Sequence, residues 1–275
     1  LWIKTESGAN SVMKGYQAQG TGAWASGGNL PQALFENAGA GATQSAALNF
    51  GGQGNPPGPA HPVSGETQTY NGSSWTEVAD LNNARKLLAG SGTQTSALAY
   101  GGEGPHSAET EVWDGSSWTS VAELNSGRLY IKGIGTSSTS AVLAGGKIGP
   151  PAPTVTNVET WDGSSWTETT ELNSGRERHG ATGSSTAGIV TGGYNGPGDS
   201  ALSICETWNG SGWTETGDLN TARFQFSSSG DSSSALAIGG TPGHKAVTEQ
   251  FNGSSWTEVG DLSLAINAHA TSGHT

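Results

Sequence analysis

One short segment, written most plainly as Glu159-Thr-Trp-Asp-Gly-Ser-Ser-Trp166-Thr-Glu168, occurs in five versions along the chain. Each version places an aromatic residue five positions before a tryptophan: Tyr70 and Trp75, Trp113 and Trp118, Trp161 and Trp166, Trp208 and Trp213, Phe251 and Trp256. Between them stands Asn-Gly or Asp-Gly, the pair that accepts positive φ and closes tight β-hairpins. Side chains alternate along a strand, so both aromatics fall on one face of the hairpin, opposite or diagonal to each other. A lone hairpin cannot bury such a face. Copies must stack on their neighbours, and that demand confines the chain to a repeat architecture.

The rest of each unit keeps register with the hairpin. A strand-like stretch ending in Gly-Gly precedes it, at 46–52, 97–102, 141–146, 187–193 and 235–240. Before that comes a first strand, such as 87–92, which follows an [Asp/Glu]-Leu-Asn-x-x-Arg segment. Four strands per unit and five units result, at about 30–78, 79–121, 122–169, 170–216 and 217–259. Residues 1–29 supply two extended runs (1–6 and 11–17) and then Trp24, with Tyr16 and Trp24 as a stretched aromatic pair. They amount to three strands of a unit that lacks its first. One more first strand is expected at 265–271. The expectation is therefore a single all-β domain over 1–275, built of six blades of four antiparallel strands. Residues 1–29 would complete the last blade with 262–275 and close the ring.

Composition permits this. Only 32% of residues are hydrophobic, but ten are tryptophan, and each can bury roughly 150–250 Å². The 45 glycines sit at fixed places beside aromatics, as turn punctuation does, rather than in low-complexity tracts. A net charge of −12 argues against nucleic acid or an anionic membrane as the main partner, because both require a basic surface. No apolar run approaches membrane-spanning length. Cys205 is alone, so there is no intrachain disulfide and the redox compartment stays open.

The recurring order of Gly-Gly, Glu-x-[Tyr/Trp], Trp, and a leucine four residues before an arginine resembles the kelch repeat, which implies a β-propeller. The resemblance covers essentially the whole chain. It departs from the pattern where Leu34 and Ile266 replace the arginine, and in a tight, uniform third-to-fourth turn. The wording of the repeats (Gly-Thr-Gln-Thr-Ser-Ala-Leu-Ala-Tyr-Gly-Gly, Asn-Gly-Ser-Ser-Trp-Thr-Glu) is also similar to kelch-like structural and fibre proteins of marine bacteriophages. The opening Leu-Trp-Ile-Lys-Thr is similar to hairpin modules of phage fibres.

Length variation is confined to one place. The span from tryptophan to the next Gly-Gly is nearly constant, whereas the second glycine and the following aromatic lie 18, 11, 15, 15 and 11 residues apart. The variable loops are 53–65, 103–108, 147–157, 194–203 and 241–246, and they hold every proline except Pro31. In an antiparallel four-stranded blade these loops emerge on the same face as the fourth-to-first connections. Proline lowers the entropic cost of a fixed exposed loop, and variable loops on a rigid scaffold are where binding commonly resides. His61, His106, Tyr194 and His244 lie in these loops and are candidate contact residues. Neutral drift of the loops is the alternative.

Arg85, Arg128, Arg176 and Arg223 recur at the start of the innermost strand, where they could ring the channel mouth and bind anions bidentately. The competing and stronger expectation pairs each with the acid five residues upstream: Asp80, Glu123, Glu171 and Asp218. A copper-radical oxidase would need a tyrosine–cysteine centre with histidines, but Cys205 reads as a core residue and no histidine spacing suits a metal. No cofactor or metal is therefore expected. A glycan hydrolase of the sialidase kind is disfavoured because the Asp-Gly spacing differs from its box. The Asn-Gly-Ser sequons at Asn71, Asn209 and Asn252 are explained by the turn, since Asp114 and Asp162 replace them elsewhere. The resemblance implies a non-enzymatic virion or surface-appendage protein, at a virion surface or outside the cell. Its expected partners are a host receptor, a glycan or neighbouring virion subunits. A secreted kelch-fold enzyme and a kelch protein-interaction adaptor are the alternatives.

Overall fold

Alternating polar and apolar residues punctuated by glycine produce strands throughout, and no helix occurs among the described residues. The structure is a computed structural model and describes residues 2–7, 10–15, 25–43, 45–58, 61–149, 153–196 and 200–265. Five antiparallel sheets of four strands follow one another along the chain. The first comprises Ala38–Thr43, Ala46–Phe50, Thr67–Tyr70 and Trp75–Val78, and the second Ala89–Thr93, Ser96–Tyr100, Thr110–Trp113 and Trp118–Ser120. The third contains Lys132–Ser137, Ser140–Ala144, Val158–Trp161 and Trp166–Thr169. Gly180–Ser184, Ala187–Tyr194, Ala201–Trp208 and Trp213–Thr216 form the fourth, and Ser227–Gly230, Ala235–Ile238, Thr248–Phe251 and Trp256–Val259 the fifth. First strands of consecutive sheets touch each other, so they are innermost and the sheets are radial blades. Trp2–Ser7, Asn10–Gly15 and Ala25–Asn29 form a further three-stranded sheet. Together these make a six-bladed β-propeller. The strand expected at 265–271, and hence the pairing expected to close the ring, lies outside the described residues.

The blades differ in burial strand by strand, for a geometric reason. Second strands are sandwiched between two neighbours and read as near-continuous small or apolar runs, such as Ala97-Leu98-Ala99-Tyr100, all buried. Fourth strands face a neighbour on one side only, so in Trp166–Thr169 the tryptophan is buried while Thr167 and Glu168 are exposed. First strands converge on the axis and need glycine: a Cβ on Gly133 would lie 2.0 Å from the Tyr100 hydroxyl and 2.8 Å from Gly90 O. The hairpin aromatics pair directly across the turn, Trp161 opposite Trp166 with ring centroids 5.5 Å apart.

The outer tryptophan then packs on the preceding blade. Trp166 meets Tyr100 at 4.9 Å and donates its indole N–H to Thr110 Oγ1 at 2.9 Å, and Trp118 does the same with Phe50 and Thr67. Leu30, where the N-terminal sheet leads into the first blade, is buried with Ala47, Tyr70 and Trp75.

Loop 53–65 is more ordered than a plain connection. Gln53–Gly58 and His61–Val63 pair with each other, and Gln53–Gly58 also pairs with Leu34–Phe35. In other blades the same pairing shrinks to single bridges, Leu129 with Lys147, Glu177 with Tyr194 and Phe224 with Thr241. The variable loops thus start as short extensions of the blade on one face.

Candidate functional site

The repeated arginines do not ring an open mouth. Arg85, Arg128, Arg176 and Arg223 are all fully buried. Nor do they pair with Asp80, Glu123, Glu171 and Asp218. Each guanidinium instead meets the glutamate of the Glu-x-aromatic strand in its own blade. Arg128 Nη2 donates to Glu159 Oε1 at 2.5 Å, Arg176 Nη2 to Glu206 Oε1 at 2.6 Å and Arg223 Nη2 to Glu249 Oε1 at 2.5 Å, while Arg85 Nη2 stands 3.1 Å from Glu111 Oε1. Nη1 of Arg128 also donates to Gly145 O and Asn157 O, tying the Gly-Gly corner to the third strand. The second carboxylate oxygen of Glu159 accepts from Asn125 N and Nδ2 at 2.8 and 2.9 Å. Each charge meets its counter-charge, and Nη1, Nη2 and both carboxylate oxygens of the Arg128–Glu159 pair are hydrogen-bonded, although Arg128 Nε is not.

The upstream acids do a different job. Asp80 Oδ1 accepts from Thr67 N, and Glu171 Oε2 from Thr156 Oγ1, both near the start of the third strand. The first blade confirms the pairing logic by losing both halves together: Leu34 stands at the arginine position and Gln68 at the glutamate position, both buried.

What faces the axis is the residue two after the arginine. Glu36, Leu87, Tyr130, Arg178 and Gln225 all adopt left-handed backbone, with φ of 57°, 59°, 56°, 54° and 51°. A non-glycine residue at such φ stores strain that the surrounding structure must hold. Here the ring itself holds it. Leu87 N donates to Glu36 O, Arg178 N to Tyr130 O and Gln225 N to Arg178 O, at 2.8–2.9 Å. One backbone geometry thus presents five different side chains around an open cleft of about 460 Å³, floored by Leu88, Ile131 and Phe226. Arg178 lies over the Tyr130 ring at 4.0 Å. Glu36, three blades away, has its carboxyl raised by burial, opposed by Lys86 at 3.5 Å and more weakly by Arg178.

Below the mouth a second space of about 380 Å³ is walled by Ala38, Gly39, Ala89, Gly90, Gly133 and other small residues, with Lys132 as its one ionisable side chain. Lys132 is half-buried by surface, yet it sits deep enough that desolvation alone pulls its ammonium down to about 8. Beside it His179 takes a position that is Leu88, Ile131 or Phe226 in other blades. Neither ring nitrogen of His179 has a partner among the described residues, and burial, reinforced by Arg176 and Lys132, holds it neutral to about 3. Nothing in the sequence reasoning marked these residues. The signal that finds them is columnar: two and four positions after the arginine, chemistry changes from unit to unit while the backbone does not.

The histidine and tyrosine candidates are not brought together. His106 is partly exposed with Nδ1 2.5 Å from Glu109 Oε1, and His244 is exposed on another blade. Tyr194 ends a second strand with its ring 5.3 Å from Phe224. His61 lies in His61–Val63, in the first blade. Cys205 is buried in the core. Among the described residues no group of three or more His, Cys, Asp or Glu is placed to hold a metal ion.

The opposite face is uniform. Asp162 Oδ1 accepts from Ser164 N, Ser164 Oγ and Ser165 N, each at 2.8 Å, and Asp114 repeats this at its own turn. These hydrogen bonds, the Ser164 hydroxyl first, hold the Asp162 carboxyl down at about 2. Asn71, Asn209 and Asn252 make the same contacts without charge, and the glycine that follows each takes positive φ.

No protein-family model and no curated protein matches this sequence. Among solved structures, one described as "Structure of YjhT" superposes with a TM-score of 0.73 over 94% of this chain and 96% of that one, at 16% identity. Identity that low speaks for the fold alone, a kelch-type β-propeller.

Proposed function

We propose that this chain is a non-enzymatic recognition propeller, a virion or surface-appendage protein. In this reading it attaches through its second-to-third-strand loops to a host receptor, a glycan or a neighbouring subunit. The observation that carries the reading is the asymmetry between the two faces. One bears five closely similar exposed turns, while the other collects all the length variation, nearly all the prolines and the five unlike side chains at the axial mouth. A scaffold that holds one geometry and varies its loops is what binding requires. The virion assignment rests on the resemblance of the repeats to kelch-like phage proteins.

The test replaces loop 53–65 by the short loop 103–108 and compares binding on a glycan array and to intact bacterial cells. Thermal melting is followed in parallel. Loss of binding by a folded protein supports the reading. Binding that survives the loop exchange but disappears when the Ser164 and Ser165 turn and its copies are changed places the working face on the other side. Turnover of an arrayed glycan makes the chain an enzyme.

A further inference from the structure

The axial mouth holds one cation without an acid partner among the described residues, Lys132, and one held only loosely, Arg178. The position four after the arginine is Ala38, Ala89, Gly180 and Ser227 in four blades and Lys132 in the third. Small residues suffice there, so packing does not demand the lysine. No described residue accepts a hydrogen bond from its ammonium. Arg178 is similarly placed: Glu177 approaches its Nε only to 3.5 Å, that nitrogen is buried without a hydrogen bond, and the guanidinium otherwise rests on Tyr130. The buried arginines each hold a buried glutamate through Nη2, at 2.5–3.1 Å, whereas Arg178 reaches its acid only at the longer distance. Lys132 and Arg178 both line the 460 Å³ cleft, whose floor is Leu88, Ile131 and Phe226 with the buried amide of Asn37 in the first blade.

We propose that the axial mouth binds a small organic anion, a carboxylate or phosphate carried on an apolar body. The anionic group would lie between Lys132 and Arg178, and the body would pack on Leu88, Ile131 and Phe226. Charge-assisted bonds to two cations within a partly desolvated cleft supply the attraction, and the apolar floor favours a ligand larger than an inorganic ion. Glu36 faces the same space, and its charge is offset by Lys86 at the rim. This site stands apart from attachment through the loops, and it needs no host partner to be tested.

Among the described residues, the neutral His179 of the fourth blade lies beside Lys132, while Arg178 of the same blade, Glu36 of the first and Tyr130 of its own line the same cleft. Only the protonated ammonium binds an anion. Affinity is therefore full below about 8 and falls as pH rises through that value, by up to about tenfold per unit until the bound-state value is reached.

The experiment is calorimetric titration of the full chain with benzoate, phenyl phosphate and the neutral control benzyl alcohol. Benzoate or phenyl phosphate should bind at least tenfold more tightly than benzyl alcohol. Lys132→Ala, which copies the residue of the first two blades, should weaken that binding at least tenfold without lowering the melting temperature. Glu36→Gln should strengthen it, because it removes the opposing charge. Equal affinity for benzyl alcohol, unchanged affinity in Lys132→Ala, or no binding of either anion at millimolar concentration overturns the proposal. Selective binding of phenyl phosphate or of benzoate identifies which anionic group the pair of cations prefers.

Discussion

Changing Arg128 to leucine and Glu159 to glutamine would rebuild in the third blade the pair that the first blade already carries as Leu34 and Gln68. Arg128→Leu alone leaves the Glu159 carboxylate buried with only its Asn125 contacts, at 2.8 and 2.9 Å. Removing one partner of a buried pair costs roughly 3–5 kcal/mol, mostly for the charge left behind. Gly145 O also loses a donor, worth about 1 kcal/mol, whereas Asn157 O still accepts from Gly145 N. Glu159→Gln alone leaves the buried guanidinium its two carbonyl acceptors but no counter-charge, and should cost a similar roughly 3–5 kcal/mol. In the double variant no charge remains, and the glutamine carbonyl can still accept from Asn125. The expected loss is then about 1–3 kcal/mol, less than either single change, with a coupling energy well above 2 kcal/mol. Urea unfolding followed by tryptophan fluorescence measures all three, and the m-value should stay constant. Losses that simply add in the double variant would refute the account, because independent sites add and a shared ion pair does not.

Acid should weaken the fold through His179. Its folded value is depressed from 6.5 to about 3, so the unfolded chain takes up the proton first. Stability is complete above about 6.5 and declines as pH falls toward 3, by up to about 1.4 kcal/mol per unit from this group. His179→Phe, which copies Phe226, should flatten that slope in acid denaturation, and an unchanged slope would remove His179 from the explanation. Deleting residues 1–28 should unfold or oligomerise the protein by exposing blade edges: Thr248 Oγ1, at the start of the fifth blade's third strand, has no partner among the described residues, whereas the matching Thr67 and Thr110 accept from the next blade's tryptophan. A monomer with unchanged melting, seen by size-exclusion and calorimetry, would contradict six-blade closure. Trp166→Ala should cost roughly 3–5 kcal/mol by urea unfolding, and a loss below 1 would argue against burial between blades. The Cys205 thiol, buried and pushed up to about 12, should label with a thiol reagent only as fast as the protein unfolds; free-thiol rates in the native state would place it at the surface.

Much of the architecture is readable from residue order because the information is local and repeated. Asn-Gly or Asp-Gly between paired aromatics sets the hairpin and its register, Gly-Gly ends the second strand, and a two-faced hairpin forces stacking. Repetition in register then gives blade number without any knowledge of packing. What could not be read is whatever depends on residues far apart in sequence meeting in space. Arg128 has an acid five positions upstream, and local reasoning chose it. The blade instead brings Glu159 within 2.5 Å, because the third strand returns beside the Gly-Gly corner and a buried guanidinium needs a buried counter-charge. The axial mouth is hidden for the same reason. Glu36, Leu87, Tyr130, Arg178 and Gln225 look like unrelated residues in five separate units, and only the ring turns them inward on one left-handed backbone. Lys132 is an ordinary lysine in the chain. The converging innermost strands strip its water and leave it without a partner among the described residues, and that is decided by tertiary structure alone.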